Sequence, residues 1–138
     1  YPQNVWVNEL DSFKETFKEL YAQLETVGDT VLEALTHSLE VPVNFFKERT
    51  ENGNTVMRLL HYPPVPEHLE PEQVRAFRHT DINLITLLIA AQGSGLQLLD
   101  RDGNWLDVKA NHDEIAINMG DMLSRMTNDV LPSTVHQV

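Results

Sequence analysis

Three histidines of the chain begin an H-x-[D/E] triplet, a spacing that can bring an imidazole nitrogen and a carboxylate oxygen to one metal ion. Such a triplet arises readily by chance in a chain with 21 acidic residues among 138, so the surroundings must distinguish the candidates. The three triplets are His68-Leu69-Glu70, His79-Thr80-Asp81 and His112-Asp113-Glu114.

The surroundings favour His79 and Asp81 as metal ligands. Both directly precede residues 82–91, a nearly continuous apolar segment that is predicted to form a buried strand. Residues i and i+2 of a strand point to the same face, so the two side chains can reach one point. His68 instead lies in a proline-rich connector, and His112 lies at a turn between two short predicted strands. A salt link or cap at the start of the strand is the alternative interpretation of His79 and Asp81.

A third ligand could come from His136, on a short strand predicted at residues 135–138. If the strands fold back as a sandwich, a late strand can lie beside the strand that follows Asp81. The alternative for His136 is an ordinary core histidine. Two imidazoles and one carboxylate on one face leave three adjacent coordination positions open, and this is the ligand set of non-haem Fe(II) oxygenases.

The composition excludes several classes of partner and site. Ten Lys and Arg against 21 Asp and Glu give a net charge of −11, which argues against a nucleic-acid partner and against an anionic membrane surface. The absence of cysteine excludes disulfides and metal sites built on sulfur. The longest apolar run, residues 87–91, is too short to cross a bilayer, and no signal-peptide pattern is visible. We therefore expect a cytoplasmic protein.

Two regimes of hydrophobic patterning divide the chain. Apolar residues spaced by three or four across residues 9–40 predict one long helix, with Asp11 or Ser12 as its cap and Val41-Pro42 as its end. Short strands are predicted after it, at residues 55–62, 82–91, 96–99, 105–108, 114–118 and 135–138. A helix followed by about six strands indicates an α+β fold with an antiparallel sandwich or barrel.

Two glycines mark predicted turns between these strands. Asp102-Gly103 predicts a tight hairpin turn with Gly103 at positive φ, because this dipeptide is a strong hairpin signal. Gly120-Asp121 predicts a second turn after the strand at residues 114–118.

Short motifs also follow one another in a fixed order across the second half of the chain. They are RLLHYPP at 58–64, HTD at 79–81, LITLL at 84–88, GLQ at 95–97, GNWLDV at 103–108, INMGD at 117–121, TN at 127–128 and STVH at 133–136. This series, over roughly residues 55–138, resembles the 2-oxoglutarate- and Fe(II)-dependent oxygenases of the isopenicillin N synthase-like group.

The resemblance implies a role for four residues. His79, Asp81 and His136 match the iron ligands of the family, and Tyr62 matches a tyrosine that often contacts the carboxylate of 2-oxoglutarate near the metal. The chain departs from the family's pattern at three other positions, where Leu60 replaces a frequent Asn, Gln137 a frequent Arg, and Asp129 a glycine.

The resemblance also implies a fold in which a helix packs on an antiparallel double-stranded β-helix, or jelly roll. Residues 1–138 are then a single partial domain, with a helical support region at 9–40 and part of the oxygenase core at 55–138. Members of the family carry an Arg-x-Ser about ten residues after the distal histidine, where it binds the far carboxylate of 2-oxoglutarate. Because the sequence stops two residues after His136, we expect the core to be incomplete.

The implied function is a non-haem Fe(II) and 2-oxoglutarate-dependent oxygenase that oxidises a small-molecule substrate with dioxygen, hydroxylation being the commonest outcome in the family. An iron oxidase of the same fold that does not use 2-oxoglutarate is one alternative. A non-catalytic metal-binding fragment is another.

Overall fold

The structure is a computed structural model that describes residues 3–64, 68, 74–89 and 95–138. It contains helices and antiparallel sheets, as expected for an α+β chain. In the described residues the elements are α1 (Phe13–Ser38), α2 (Lys47–Thr50), β1 (Ile85–Ile89), β2 (Gln97–Leu99), β3 (Trp105–Asp107), β4 (Ile115–Met119), α3 (Asp121–Met126) and β5 (His136–Gln137). None of the described helices is long and apolar enough to span a membrane. The chain divides into two compact units, Tyr1–Arg58 and Leu59–Val138.

The helix predicted over residues 9–40 is confirmed as α1. Ser12 occupies the N-cap position, but its side chain makes no capping hydrogen bond. The helix ends at Ser38, and Glu40 follows with a φ of 54°. The chain therefore leaves the helical conformation before Val41-Pro42, which was predicted to end it.

The core of the first unit lies where α1 contacts α2 and the turn before α2. Leu32 and Thr36 are the buried residues of α1, and Phe46 at the start of α2 is only 1% exposed. Leu32 and Thr36 are separated by one helical turn, so they share a face of α1. This face lies beside the stripe of apolar residues predicted within residues 9–40. It can include a polar residue because the Thr36 hydroxyl donates a hydrogen bond to the Glu33 carbonyl oxygen at 2.6 Å.

Two antiparallel sheets form the second unit. β1 pairs with β4 from Ile85↔Met119 to Ile89↔Ile115, and the other sheet has the order β3-β2-β5. Helix α3 follows β4 directly and contributes Leu123, the most completely buried hydrophobic residue of this unit in the described part of the chain. The predicted turn at Gly120-Asp121 is therefore wrong in one respect, since these residues begin a helix.

The hairpin between β2 and β3 confirms the expectation for Asp102-Gly103. Leu99 pairs with Trp105, and Gly103 has a φ of 84°. The Gly103 N–H donates to the Asp100 carbonyl at 3.2 Å, so a four-residue turn ends in the left-handed Gly103, the pattern of a three-residue hairpin loop with a glycine bulge. Asp100 Oδ1 accepts the backbone N–H groups of Asp102 and Asn104, and the Asn104 bond in particular lowers the pKa of the Asp100 carboxyl.

Two strand predictions need correction. Residues 55–62 form no strand, because no other described segment offers them a ladder of hydrogen bonds. Val56, Leu59 and Leu60 in this segment are exposed. The segment predicted at 82–91 forms a strand only at Ile85–Ile89, and residues 90–91 lie outside the described residues. It is half-buried rather than buried, because its sheet consists of two described strands and leaves Ile89 exposed. Residues 82–84 bend instead, since the Asn83 and Leu84 carbonyls accept hydrogen bonds from the start of α3.

Candidate metal centre

Backbone pairing places His79 and His136 directly opposite each other. The His79 N–H donates to the His136 carbonyl at 3.0 Å, and the His136 N–H donates to the His79 carbonyl at 2.9 Å. On its other side β5 pairs with β2, with Leu98 opposite His136. His136 is therefore held between two neighbouring segments, and only 9% of its side chain is exposed.

A β-bulge immediately precedes His79. Ala76 and Val138 also exchange two backbone hydrogen bonds, at 3.0 and 3.1 Å. Between the two bonded pairs, Phe77 and Arg78 stand opposite the single residue Gln137. A bulge of this kind bends a strand and changes the direction of the side chains beside it, and such bulges are frequent next to functional sites.

The structure brings together the side chains of the three predicted ligands. Asp81 Oδ1 lies 3.9 Å from His79 Nε2 and 3.8 Å from His136 Nε2. The potential ligand atoms of the three residues all lie within 4.8 Å of one another, and the two imidazole rings are 4.4 Å apart between centroids. His79 and Asp81 share a face as i and i+2, as the sequence predicted.

Hydrogen bonds to backbone carbonyls orient both imidazole rings. His79 Nδ1 lies 2.7 Å from the Phe77 carbonyl oxygen, and His136 Nδ1 lies 3.1 Å from that of Thr134. A carbonyl oxygen only accepts, so each Nδ1 must carry the proton and donate it. In the neutral imidazoles each Nε2 then presents a lone pair near Asp81, as in metal sites where a second hydrogen bond fixes the tautomer of a ligating histidine.

The site fits a metal ion because the side-chain atoms that face its centre have no hydrogen-bond partner among the described residues. The two Nε2 atoms and the Asp81 carboxylate are all acceptors when the imidazoles are neutral, and their separations of 3.8 and 3.9 Å are too long for hydrogen bonds. Asp81 Oδ2 is buried and has no hydrogen-bond partner in the part of the chain that the structure describes. A buried acceptor without a partner is unfavourable, and a cation bound among the facing acceptors would supply that partner. Two imidazoles and one carboxylate suit Fe(II), and the remaining positions of such a site stay open.

The other candidate residues do not join this group. His68 and His112 are exposed, and within the described residues the only potential metal-binding group is His79, Asp81 and His136. Tyr62 is half-buried, with the guanidinium carbon of Arg75 lying 5.4 Å from its ring centroid. Arg75 also donates to the Pro63 carbonyl at 2.9 Å, which keeps it beside the tyrosine. The role of Tyr62 toward 2-oxoglutarate stays a prediction.

The contribution of α3 to the site was not predicted from the sequence. Three successive backbone N–H groups, of residues 120–122, donate to the carbonyls of Leu84, Asp81 and Asn83 respectively. Leu123 and Met126, three positions apart after Gly120-Asp121, were the available signal for a helix at this point. The start of α3 therefore anchors the segment that connects Asp81 to β1.

Comparisons with known proteins agree with this geometry. A family model described as the 2OG-Fe(II) oxygenase superfamily matches residues 53–138. The 2-oxoglutarate-Fe(II) type oxidoreductase hxnY of Emericella nidulans is 38% identical over an alignment of 140 positions, which covers 98% of this chain and 40% of that protein.

Comparison with solved structures also gives matches to 2OG-Fe(II) oxygenases. A 2OG-Fe(II) oxygenase family protein from Caulobacter crescentus matches with a TM-score of 0.87 and 49% identity, over 98% of this chain and 43% of that one. A full-length Neurospora crassa protein in complex with alpha-KG (2-oxoglutarate) matches with a TM-score of 0.90 and 33% identity, over 99% and 43%. The chain thus spans about two fifths of the length of these relatives. On the family match over more than half of its residues, the chain belongs to the 2OG-Fe(II) oxygenase superfamily.

Proposed function

We propose that this chain is part of a non-haem Fe(II) and 2-oxoglutarate-dependent oxygenase that oxidises, and most simply hydroxylates, a small-molecule substrate. The observation that carries the proposal is the group of three facing acceptors, His79 Nε2, Asp81 Oδ1 and His136 Nε2. Beside them, Asp81 Oδ2 is buried with no hydrogen-bond partner among the described residues. The family membership of residues 53–138 supports the choice of iron over other divalent metals.

The carboxylate and the two imidazoles of the site would contribute differently to iron binding. Asp81 supplies a negative charge that offsets part of the charge of the ion, and the two imidazoles bind through Nε2 while their Nδ1–H groups remain on backbone carbonyls. The bound iron and 2-oxoglutarate supply the oxidising chemistry with dioxygen, giving succinate and carbon dioxide as co-products.

Exposure of the three ligands indicates the side from which small molecules approach. The His79 side chain is 47% exposed, whereas those of Asp81 and His136 are 19% and 9% exposed. We propose that 2-oxoglutarate and substrate bind on the His79 side and that Tyr62 contacts the 2-oxoglutarate carboxylate near the metal. We further propose that residues 55–138 form part of a jelly-roll core and residues 9–40 its helical support. The cytoplasmic location stays a prediction from the sequence.

The test uses the complete protein loaded with Fe(II) under anaerobic conditions. We expect Asp81→Ala and His136→Ala to lower Fe(II) affinity by more than the about 10–100-fold that loss of an outer partner costs. His112→Ala is the matched control, since it removes an exposed histidine from another H-x-[D/E] triplet and should bind Fe(II) like the wild type.

Succinate release then identifies the reaction. The proposal expects succinate to form only with 2-oxoglutarate, Fe(II) and dioxygen present. Iron binding with substrate oxidation but no succinate would indicate the oxidase alternative, and iron binding without any turnover would indicate a non-catalytic metal site. Unchanged Fe(II) affinity in both ligand variants would refute the metal centre itself.

A further inference from the structure

We propose that Asp121 is a positioning residue for the metal ligand Asp81 and that it acts through the hydroxyl of Thr80. Residue 121 contacts the ligand triplet twice. Its backbone N–H donates to the Asp81 carbonyl at 2.7 Å, and its Oδ2 accepts a hydrogen bond from Thr80 Oγ1 at 3.1 Å. This inference rests on the proposed iron site and assigns an outer partner to its carboxylate ligand.

The position of Thr80 between the two ligands explains why it can reach α3. Side chains alternate along an extended segment, so Thr80 points away from the face shared by His79 and Asp81. That opposite face meets the start of α3, where Thr80 and Asp121 are both half-buried. The two contacts of Asp121 therefore hold the triplet from the side opposite to the face shared by His79 and Asp81.

The carboxylate of Asp81 depends on this support more than the imidazoles do. Each imidazole has its own orienting bond, from Nδ1 to the carbonyl of Phe77 or Thr134. Within the described residues the Asp81 side chain has no comparable bond, since its Oδ2 is buried without a partner there and its Oδ1 faces the two histidines. Its direction is therefore set by the backbone at residues 80 and 81, which Asp121 fixes.

The experiment compares matched variants in the complete protein, with Co(II) as a spectroscopic probe of the metal site. Thr80→Val keeps the shape and β-branching of threonine but removes the hydroxyl, whereas Thr80→Ser keeps the hydroxyl. Asp121→Ala removes the acceptor but leaves the backbone N–H, whereas Asp121→Asn keeps an acceptor. The measurements are the Co(II) dissociation constant, the visible absorption spectrum of bound Co(II) and the melting temperature of the metal-free protein.

We expect Thr80→Val and Asp121→Ala to weaken Co(II) binding by about 10–100-fold, the usual effect of losing an outer partner, and to alter the Co(II) spectrum. Thr80→Ser and Asp121→Asn should restore wild-type affinity and spectrum. Thr80→Val that binds Co(II) as tightly as Thr80→Ser would overturn the inference, and so would equal losses in both members of each pair. If Thr80→Val does not fold, the comparison of Asp121→Ala with Asp121→Asn decides in the same way.

The wild-type protein and Asp81→Ala separate this inference from the proposed function. Wild-type protein that binds no Co(II), or Asp81→Ala that binds it normally, would refute the metal centre. Normal binding by wild type, its loss in Asp81→Ala and no effect in Thr80→Val would refute only the positioning role of Asp121.

Discussion

Replacement of Gly120 by alanine should destabilise the protein because there is no room for a Cβ at this position. A Cβ on residue 120 would overlap the carbonyl oxygen of Asn83 and lie 2.5 Å from its Oδ1. The backbone of Gly120 is extended, with φ −97° and ψ 173°, so any residue could adopt its conformation and the cost is steric alone. Overpacking typically costs about 1–3 kcal/mol. Displacement of Asn83 also breaks its carbonyl bond to Met122, worth about 1 kcal/mol.

The expected loss for Gly120→Ala is therefore about 2–4 kcal/mol, measured as the free energy of unfolding of the metal-free protein in urea. Gly103→Ala is the control, because Gly103 has a φ of 84° and open space around its missing Cβ. The free energy of unfolding of that variant should fall only by the cost of placing an alanine in the left-handed conformation, about 1–2 kcal/mol. Gly103→Asn should be less destabilised than Gly103→Ala, since Asn tolerates the left-handed region. Gly120→Asn should be destabilised as much as Gly120→Ala or more. Gly120→Ala with wild-type stability would refute the steric reasoning.

The remaining predictions concern the hairpin and the cosubstrate. Hydrogen bonds, first among them that from the Asn104 backbone N–H, lower the pKa of the Asp100 carboxyl in the folded state. The contribution of Asp100 to the free energy of unfolding is therefore present above the ordinary pKa of aspartate. It is lost as the pH falls through the pKa of the folded carboxyl. The difference in urea midpoint between wild type and Asp100→Ala should accordingly shrink in acid, and a constant difference would contradict this. Tyr62→Phe should weaken 2-oxoglutarate binding by about tenfold, the effect of losing a hydrogen bond to a carboxylate, as measured by anaerobic calorimetry. Tyr21→Phe is its control, since that hydroxyl donates to the Thr55 carbonyl at 3.1 Å, and equal affinities in the two variants would exclude the role of Tyr62.

One departure from the family's pattern has a local explanation in the structure. Asp129 stands where the family has glycine, and its φ of 62° lies in the left-handed region that favours glycine. Aspartate is among the few other residues that adopt this region at modest cost. Its Oδ1 also accepts a hydrogen bond from Ser124 Oγ at 2.8 Å, which stabilises the conformation.

Features that depend on neighbouring residues in the chain were predictable from the sequence. The long helix follows from apolar residues every three or four positions, and the hairpin follows from Asp102-Gly103, because both signals act over a few residues. The pairing of His79 with Asp81 on one face follows from the alternation of side chains along an extended segment. The ordered motifs after residue 55 pointed to the correct superfamily.

Features that depend on distant segments were decided by tertiary structure alone. The apolar residues at 55–62 have strand composition, but a strand forms only where another segment supplies the ladder of hydrogen bonds, and none of the described residues does so. The register that places His136 opposite His79, with a bulge at Phe77 and Arg78, joins segments more than 50 residues apart. The hydrogen bond from Thr80 to Asp121 likewise spans 41 positions. The spacing and surroundings of the residues could identify candidates for the site, but their convergence required long-range pairing, which no local pattern encodes.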